Sequence, residues 1–363
     1  MTEPTLFFVD CADAQGGHQM GCWQWGDPHS ANVVLCVHGL TRQGRDFDLL
    51  AQAIVARAGG DVRVVCPDVV GRGESDWLVD PHGYQVPLYA ADMLALLAQL
   101  QADRAIAQFD YVGTSMGGLI GLVLAGNAAL ALPAPIRRLV INDVGPTIDA
   151  AALQRIGLYL GNVGRFATLQ EAADAMWTIS QSFGPHSPDE WLALSRAMIV
   201  PASRRTADGS AKRAGDATDA PFVLHYDPAI AVPFRAITPE AAAQGEAALW
   251  SLYDAIHAET LLTRGAQSDL LSHHTAQAMT VRGRATKVRI APTTSPCQTC
   301  HQCSSSGLAS SPSITNRPIC ASQPMPSTND RVAVRCGSSA LPRMRAARYT
   351  AANPLAWIPA AAP

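Results

Sequence analysis

The tightest constraint on this chain is a reversal near residue 115. Phe109–Val112 reads as a strand and passes straight into Gly113-Thr114-Ser115-Met116-Gly117-Gly118; from Leu119 to Ala129 the apolar residues recur at helical spacing. A strand that turns this sharply into a helix needs small residues at the turn, and the glycines supply them. The serine between them is held in a strained backbone conformation, which pushes its side chain out of the turn.

The same strand and helix alternation runs through the first half. Leu6–Val9 and His18–Trp25 read as strands joined by a turn at Gly16-Gly17, and Asn32–Val37 is a β-branched run ending at His38-Gly39. Phe47–Ala58 has helical spacing, Asp61–Cys66 is a strand stopped by Pro67, Leu88–Leu100 is a helix, and Ile136–Ile141 is a strand ending in Asn142-Asp143. That order implies βαβ units: an α/β fold with a mostly parallel central sheet and helices on both faces.

From about residue 146 the strand signal stops. Ala150–Leu160, Leu169–Ser180, Asp189–Ile199 and Glu246–Ala258 read as helices, Ser203–Ala220 as a polar loop, and Glu259–Thr263 as one more strand before Arg264-Gly265-Ala266-Gln267-Ser268-Asp269. A helical block within such a sheet is expected to form a lid over the strands' C-terminal ends, where open α/β folds bind ligands. The expected organisation is a first core part at 1–145, a helical lid at 146–245, a second core part at 246–283 and an atypical tail at 284–363.

The tail is set apart by composition. Residues 284–363 hold one acidic residue, Asp330, against nine basic ones, with 10 of the 25 prolines and five of the nine cysteines. Such a segment buries too little apolar surface to offset chain entropy and is expected to be disordered. The whole chain is 48% hydrophobic with a net charge of -3, enough for a large core and without the basic excess that favours nucleic acid or membrane surfaces. Met1–Asp10 has no basic n-region, and no apolar stretch reaches the ~18 residues of a membrane span, so a cytoplasmic protein is expected. Cys11, Cys22, Cys36 and Cys66 are expected as core residues.

Gly113-Thr114-Ser115-Met116-Gly117, with its strand and helix, resembles the nucleophile elbow of the lid-bearing α/β-hydrolase superfamily of esterases, lactonases and carbon–carbon bond hydrolases. The resemblance covers about residues 20–283 and has three further supports. His38-Gly39 ends the expected strand, Asp68-Val69-Val70-Gly71-Arg72-Gly73-Glu74-Ser75 resembles the family's D-x-x-G-x-G-x-S loop, and Gly265–Asp269 resembles the loop that carries the triad acid. The resemblance implies Ser115 as nucleophile, Asp269 as acid, and the backbone N–H groups of Leu40 and Met116 as the oxyanion hole. Asp143 is the reserve acid, because some members carry theirs at that point; the competing reading of Asp269 is a helix N-cap. His38 is expected to be structural, the Asp68 loop to shape a turn, and His273-His274 to lie exposed on a helix.

The family's histidine, due some 20–30 residues beyond Asp269, is not found. Val288-Arg289-Ile290-Ala291-Pro292 has isoleucine where histidine is expected, and neither the fold's final strand nor its final helix is visible after Gly283. The abrupt change points to a shift of reading frame near residues 284–294. The gene's other frames just downstream should then encode a Gly-His followed by a helical segment. His301 is the one histidine of the tail and the reserve base. Cys297-Gln298-Thr299-Cys300-His301 matches a haem-attachment pattern without cytochrome surroundings, and Cys297, Cys300, His301 and Cys303 lack the second knuckle of a zinc site. No cofactor or metal is expected.

The expected function is a serine hydrolase acting by acyl transfer on a small or medium ester, lactone or related carbonyl compound. Met176, Trp177, Phe183, Trp191 and Met198 are candidates for lining its cavity or packing the lid. The alternative is a catalytically impaired scaffold lacking its base; cofactor-independent dioxygenase or lyase chemistry also occurs on such folds. The partner is a small-molecule substrate, with oligomeric state open.

Overall fold

The structure is a computed structural model that describes residues 3–204, 221–283 and 288–293. Strands β1 (Thr5–Cys11) and β2 (His18–Gly26) form an antiparallel hairpin. Then follow β3 (Asn32–Val37), α1 (Asp48–Arg57), β4 (Arg63–Pro67), α2 (Val86–Asp103), β5 (Gln108–Thr114), α3 (Met116–Gly126) and β6 (Ile136–Asn142). Next comes an inserted segment with α4 (Ala150–Tyr159), α5 (Leu169–Ser180), α6 (Pro188–Arg196), β7 (Ile199–Pro201), β8 (Phe222–Leu224), α7 (Ala231–Arg235) and α8 (Pro239–Asp254). The chain returns to the sheet through β9 (Glu259–Gly265), α9 (His273–Val281) and β10 (Val288–Thr293).

The sheet order is β1-β2-β4-β3-β5-β6-β9-β10. Strands β1, β2 and β4 pair antiparallel in succession, and every pairing from β4 through β3 to β10 is parallel. Because the crossovers are helical, the central strands are apolar on both faces. Val33, Leu35 and Val37 point into one core with Tyr111, Leu139, Ile141 and Leu262, which helices α2, α3, α8 and α9 cover. The alternate residues Val34 and Cys36 join Val64 and Cys66 beneath α1, through Phe47 and Ala51. Leu35, Leu139 and Leu262 are fully buried, so truncating any one to alanine costs about 2–5 kcal/mol.

Several elements depart from the sequence reading. Val288–Thr293 is an eighth strand, β10, pairing parallel with β9 from Val288 opposite Thr260 to Thr293 opposite Gly265. It falls where the sheet was expected to have lost its final strand. The run Val-Arg-Ile is short, and Pro292 spoils its pattern, but a proline is tolerated in an edge strand. Helix α8 starts at Pro239, earlier than Glu246, because Thr238 caps it by accepting from the Ala241 N–H with proline in the first turn. The short antiparallel pair β7–β8 lies in a stretch where no strand was expected. Among the described residues no helix is long and apolar enough to cross a membrane.

Candidate active site

Ser115 sits between β5 and α3 with φ 56° and ψ -115°, a left-handed conformation that costs a non-glycine residue energy and persists only where its surroundings enforce it. Two glycines make the turn possible. A Cβ on Gly113 would collide with the Gly117 carbonyl, and one on Gly117 with the Val37 carbonyl at the end of β3. Backbone bonds lock the turn to both neighbouring strands: Ser115 N–H donates to the Asn142 carbonyl at 2.8 Å and Gly117 N–H to the His38 carbonyl at 3.1 Å. Ser115 is fully buried, and its Oγ has no hydrogen-bond partner among the described residues.

The strand β3 side supplies the rest of the turn's surroundings. Leu40 and Met116 are fully buried, and Met116 opens α3, whose N-terminal dipole favours negative charge. His38 has both ring nitrogens engaged. Nε2 accepts from the Val69 N–H at 2.9 Å, which leaves the proton on Nδ1 to be donated to the Gly39 carbonyl at 2.7 Å. Burial, helped by the charges of Arg72 and Arg42, lowers its pKa to about 3. A neutral histidine with its acceptor nitrogen occupied is no proton acceptor for Ser115, so His38 fixes the strand end to the next loop.

That loop is organised by Asp68. Its carboxylate accepts from Gly44 N–H at 2.6 Å, Glu74 N–H at 2.9 Å and Trp23 Nε1–H at 3.1 Å. Burial still dominates and raises its pKa to about 7.

The two candidate acids have different surroundings. Asp143 follows β6 with φ 58°, is buried, and accepts from the Gly265 N–H at 2.8 Å. Burial raises its pKa, against the hydrogen bonds it accepts from Gly265 and Ser268. Its carboxylate therefore holds the start of the loop that ends in Asp269. Asp269 itself is half-exposed and makes a two-pronged ion pair with Arg155 of α4, at 2.7 and 2.9 Å. It does not cap α9; Ser272 does, accepting from the Thr275 N–H. His273 and His274 are exposed on α9. His301 lies outside the described residues.

A polar ladder crosses the ends of these strands. Asn142 Nδ2 donates to Thr114 Oγ1 at 3.3 Å, and Thr263 Oγ1 donates to Asn142 Oδ1 at 2.6 Å. It keys β5, β6 and β9 together where the elbow and both acids emerge. No sequence motif announces it.

A cavity of about 560 Å³ opens beside the elbow, between His38, Gly39 and Thr114 of the core and His186, Leu194 and Arg196 of the inserted segment. That volume suits a small ligand. The aromatic residues considered for its lining pack instead on one another: Trp177 and Phe183 stand edge-on to Trp191, with Met176 and Met198 in the same cluster. Among the described residues Cys11, His18 and Asp92 form a buried group of metal-ligand types. Both His18 ring nitrogens are already bonded to carboxylates there, Nδ1 to Asp13 at 3.1 Å and Nε2 to Asp92 at 3.2 Å.

Comparison with known proteins agrees with this architecture. The family profile of the alpha/beta hydrolase fold matches residues 32–231. A 3-hydroxybutyrate-oligomer hydrolase of Cupriavidus necator is 48% identical over 282 residues, covering 77% of this chain and 88% of that protein. The crystal structure of an alpha/beta hydrolase from Novosphingobium aromaticivorans is 32% identical with a TM-score of 0.62, over 80% of this chain and 91% of the other. A crystal structure of a Rickettsia typhi protein is 25% identical with a TM-score of 0.61, over 80% of this chain and 90% of the other. With its sheet order, its strained serine turn and these relatives, the chain belongs to the alpha/beta hydrolase family and is a hydrolase.

Proposed function

We propose that this protein hydrolyses short esters of hydroxy acids by acyl transfer, with Ser115 as nucleophile. The observation that carries the reading is the left-handed Ser115, buried between two backbone-locked strands with its Oγ unpartnered among the described residues. In this reading Ser115 Oγ attacks the ester carbonyl, and the N–H groups of Leu40 and Met116 hold the oxyanion. Asp269 orients and stabilises the imidazolium of a histidine base, and water then releases the acyl group. The 48% identical relative is named for hydrolysis of 3-hydroxybutyrate oligomers, which supports a linear oligoester as substrate here. The partner is this small molecule, with no role for nucleic acid or a membrane.

A base must still take the Ser115 proton. His38 is unsuited to this by its engaged Nε2. A second reading, a family scaffold whose base is lost, is favoured by Ile290 standing where the family's histidine is expected, with His301 as the reserve candidate.

The test is turnover of p-nitrophenyl butyrate and of 3-hydroxybutyrate oligomers by the purified chain and by Ser115→Ala. Turnover that disappears with the substitution supports the hydrolytic reading. A folded chain without turnover supports the second, and turnover retained by Ser115→Ala refutes the nucleophile role of Ser115.

A further inference from the structure

We propose that Arg72 is a positioning residue that ties the two halves of the oxyanion hole together. The proposal rests on the reading of Leu40 and Met116 as oxyanion donors. Arg72 is the largest of the fully buried side chains, and its guanidinium reaches both of those residues. Nε–H donates to the Leu40 carbonyl at 2.8 Å, and an Nη2–H points to Met116 Sδ at 3.5 Å. Nη1–H donates to the Val70 carbonyl at 2.7 Å and anchors the fork to its own loop. One planar group therefore spans the end of β3 and the start of α3, the two elements whose amides must converge on one oxygen.

The cost of keeping this cation buried argues for such a task. Among the described residues no carboxylate pairs with Arg72. An unpaired buried charge is strongly unfavourable unless other groups compensate. Here the compensation comes from the two carbonyls and from aromatic faces, with the guanidinium carbon 5.0 Å from the Tyr89 ring centre and 5.8 Å from that of Tyr84. Lysine cannot reproduce this, because three acceptors in different directions need the fixed fork of arginine. The charge left beside the elbow also favours an oxyanion over a neutral carbonyl, and that difference is what accelerates a reaction.

The backbone beneath Arg72 is clamped as well. Gly73 N–H donates to the His225 carbonyl at 3.2 Å, and Asp227 N–H donates to the Gly71 carbonyl at 2.7 Å. The inserted segment thus holds the loop from outside while the guanidinium holds the two donor segments inside.

The test compares Arg72→Met, Arg72→Lys and Met116→Leu with the unchanged chain. It reads kcat and KM on p-nitrophenyl butyrate, and amide hydrogen exchange at residues 38–42 and 114–118. Arg72→Met is expected to lower kcat about ten- to hundredfold with KM nearly unchanged, short of the roughly 10²–10³-fold loss of an oxyanion donor itself. Exchange should rise in those two segments alone. Arg72→Lys should recover part of both effects. Met116→Leu, which removes only the Sδ contact, should give a smaller version of them. Unchanged exchange in both segments for Arg72→Met and Met116→Leu overturns the proposal, as does an equal rise across the whole chain. If Arg72→Met does not fold, Met116→Leu decides by the same criterion. If the unchanged chain shows no turnover, or Ser115→Ala retains it, the hydrolytic reading fails while the exchange data still decide whether Arg72 positions these segments.

Discussion

Asp143 and Asp269 come within one loop of each other, and their neighbours give them different tasks. The Asp143 carboxylate accepts from the Gly265 N–H, and in the proposed reading it holds the loop that carries Asp269. Among the described residues Asp269 pairs with the half-exposed Arg155, and near-surface pairs of that kind contribute about 0–1 kcal/mol. In the proposed reading its carboxylate exchanges Arg155 for an imidazolium. In a chain that turns over ester, Asp269→Asn should therefore lower kcat about 10³–10⁴-fold, by analogy with amide replacement of a triad acid. Asp143→Asn keeps a carbonyl oxygen for Gly265 and should cost about tenfold or less, the range of a retained neutral hydrogen bond. Steady-state rates on one ester check both, and a larger loss at Asp143 would exchange the roles. Ser115 was legible in the sequence because its demands are local: small residues on either side, a strand before and a helix after. The work of Asp143 was not, since its partner lies on a strand beyond the whole inserted segment. Arg72 was hidden because its partners Leu40 and Met116 lie on other loops, and its own loop reads only as a turn.

At the scale of elements, strand and helix types followed the apolar periodicity closely from Asn32 to Asn142, where β3 and β4 are buried on nearly every position and β5 and β6 bury alternate residues. The sheet's far edge was harder than the β1–β2 hairpin. Edge strand β10 carries a weak pattern, and the β1–β2 hairpin depends on a polar cluster drawn from three elements. His18 on β2 faces Asp13 of the turn, Asp92 of α2 and the Cys11 thiol of β1. Burial alone would lower the His18 pKa, but the hydrogen bonds and charges of Asp92 and then Asp13 outweigh it and raise the pKa above 6.5. The sign for stability follows. The unfolded chain holds this proton less tightly, so the cluster's contribution is complete below about pH 6.5 and is lost as pH rises through the raised folded pKa. His18→Gln should then destabilise the protein by about 1–3 kcal/mol at about pH 6. The difference from the unchanged chain should shrink at about pH 9. Urea denaturation at the two pH values measures it, and an equal or larger difference in alkali would mean that His18 is neutral in the folded protein.

Across the whole molecule, the inserted segment and the sheet share one buried junction. Tyr84, fully buried just before α2, accepts from the Leu78 N–H at 2.8 Å and donates to the Asp227 carboxylate. Asp227 in turn accepts from the Ala229 N–H at 2.8 Å and starts the turn that leads into α7. The same tyrosine ring lies under the Arg72 guanidinium, so one side chain touches the core loop, the inserted segment and the group we assign to the oxyanion hole. A second tie, from Thr147 to Glu246 of α8 at 2.6 Å, joins the two ends of the insertion outside the sheet. An insertion anchored this way should melt with the core. Tyr84→Phe leaves the ring in place but deprives a buried carboxylate and a buried N–H of a partner, at about 1–3 kcal/mol for each group. The expected urea curve is a single transition with a lower midpoint and an unchanged slope, because the surface exposed on unfolding stays the same. A curve that splits in two, with limited proteolysis cutting only between residues 146 and 254 at the first step, would mean that the insertion opens independently of the sheet. The oxyanion segments would then be insulated from it, and Tyr84→Phe would leave exchange at residues 38–42 and 114–118 unchanged. With one shared junction, both segments should exchange faster in this variant, to a smaller degree than in Arg72→Met.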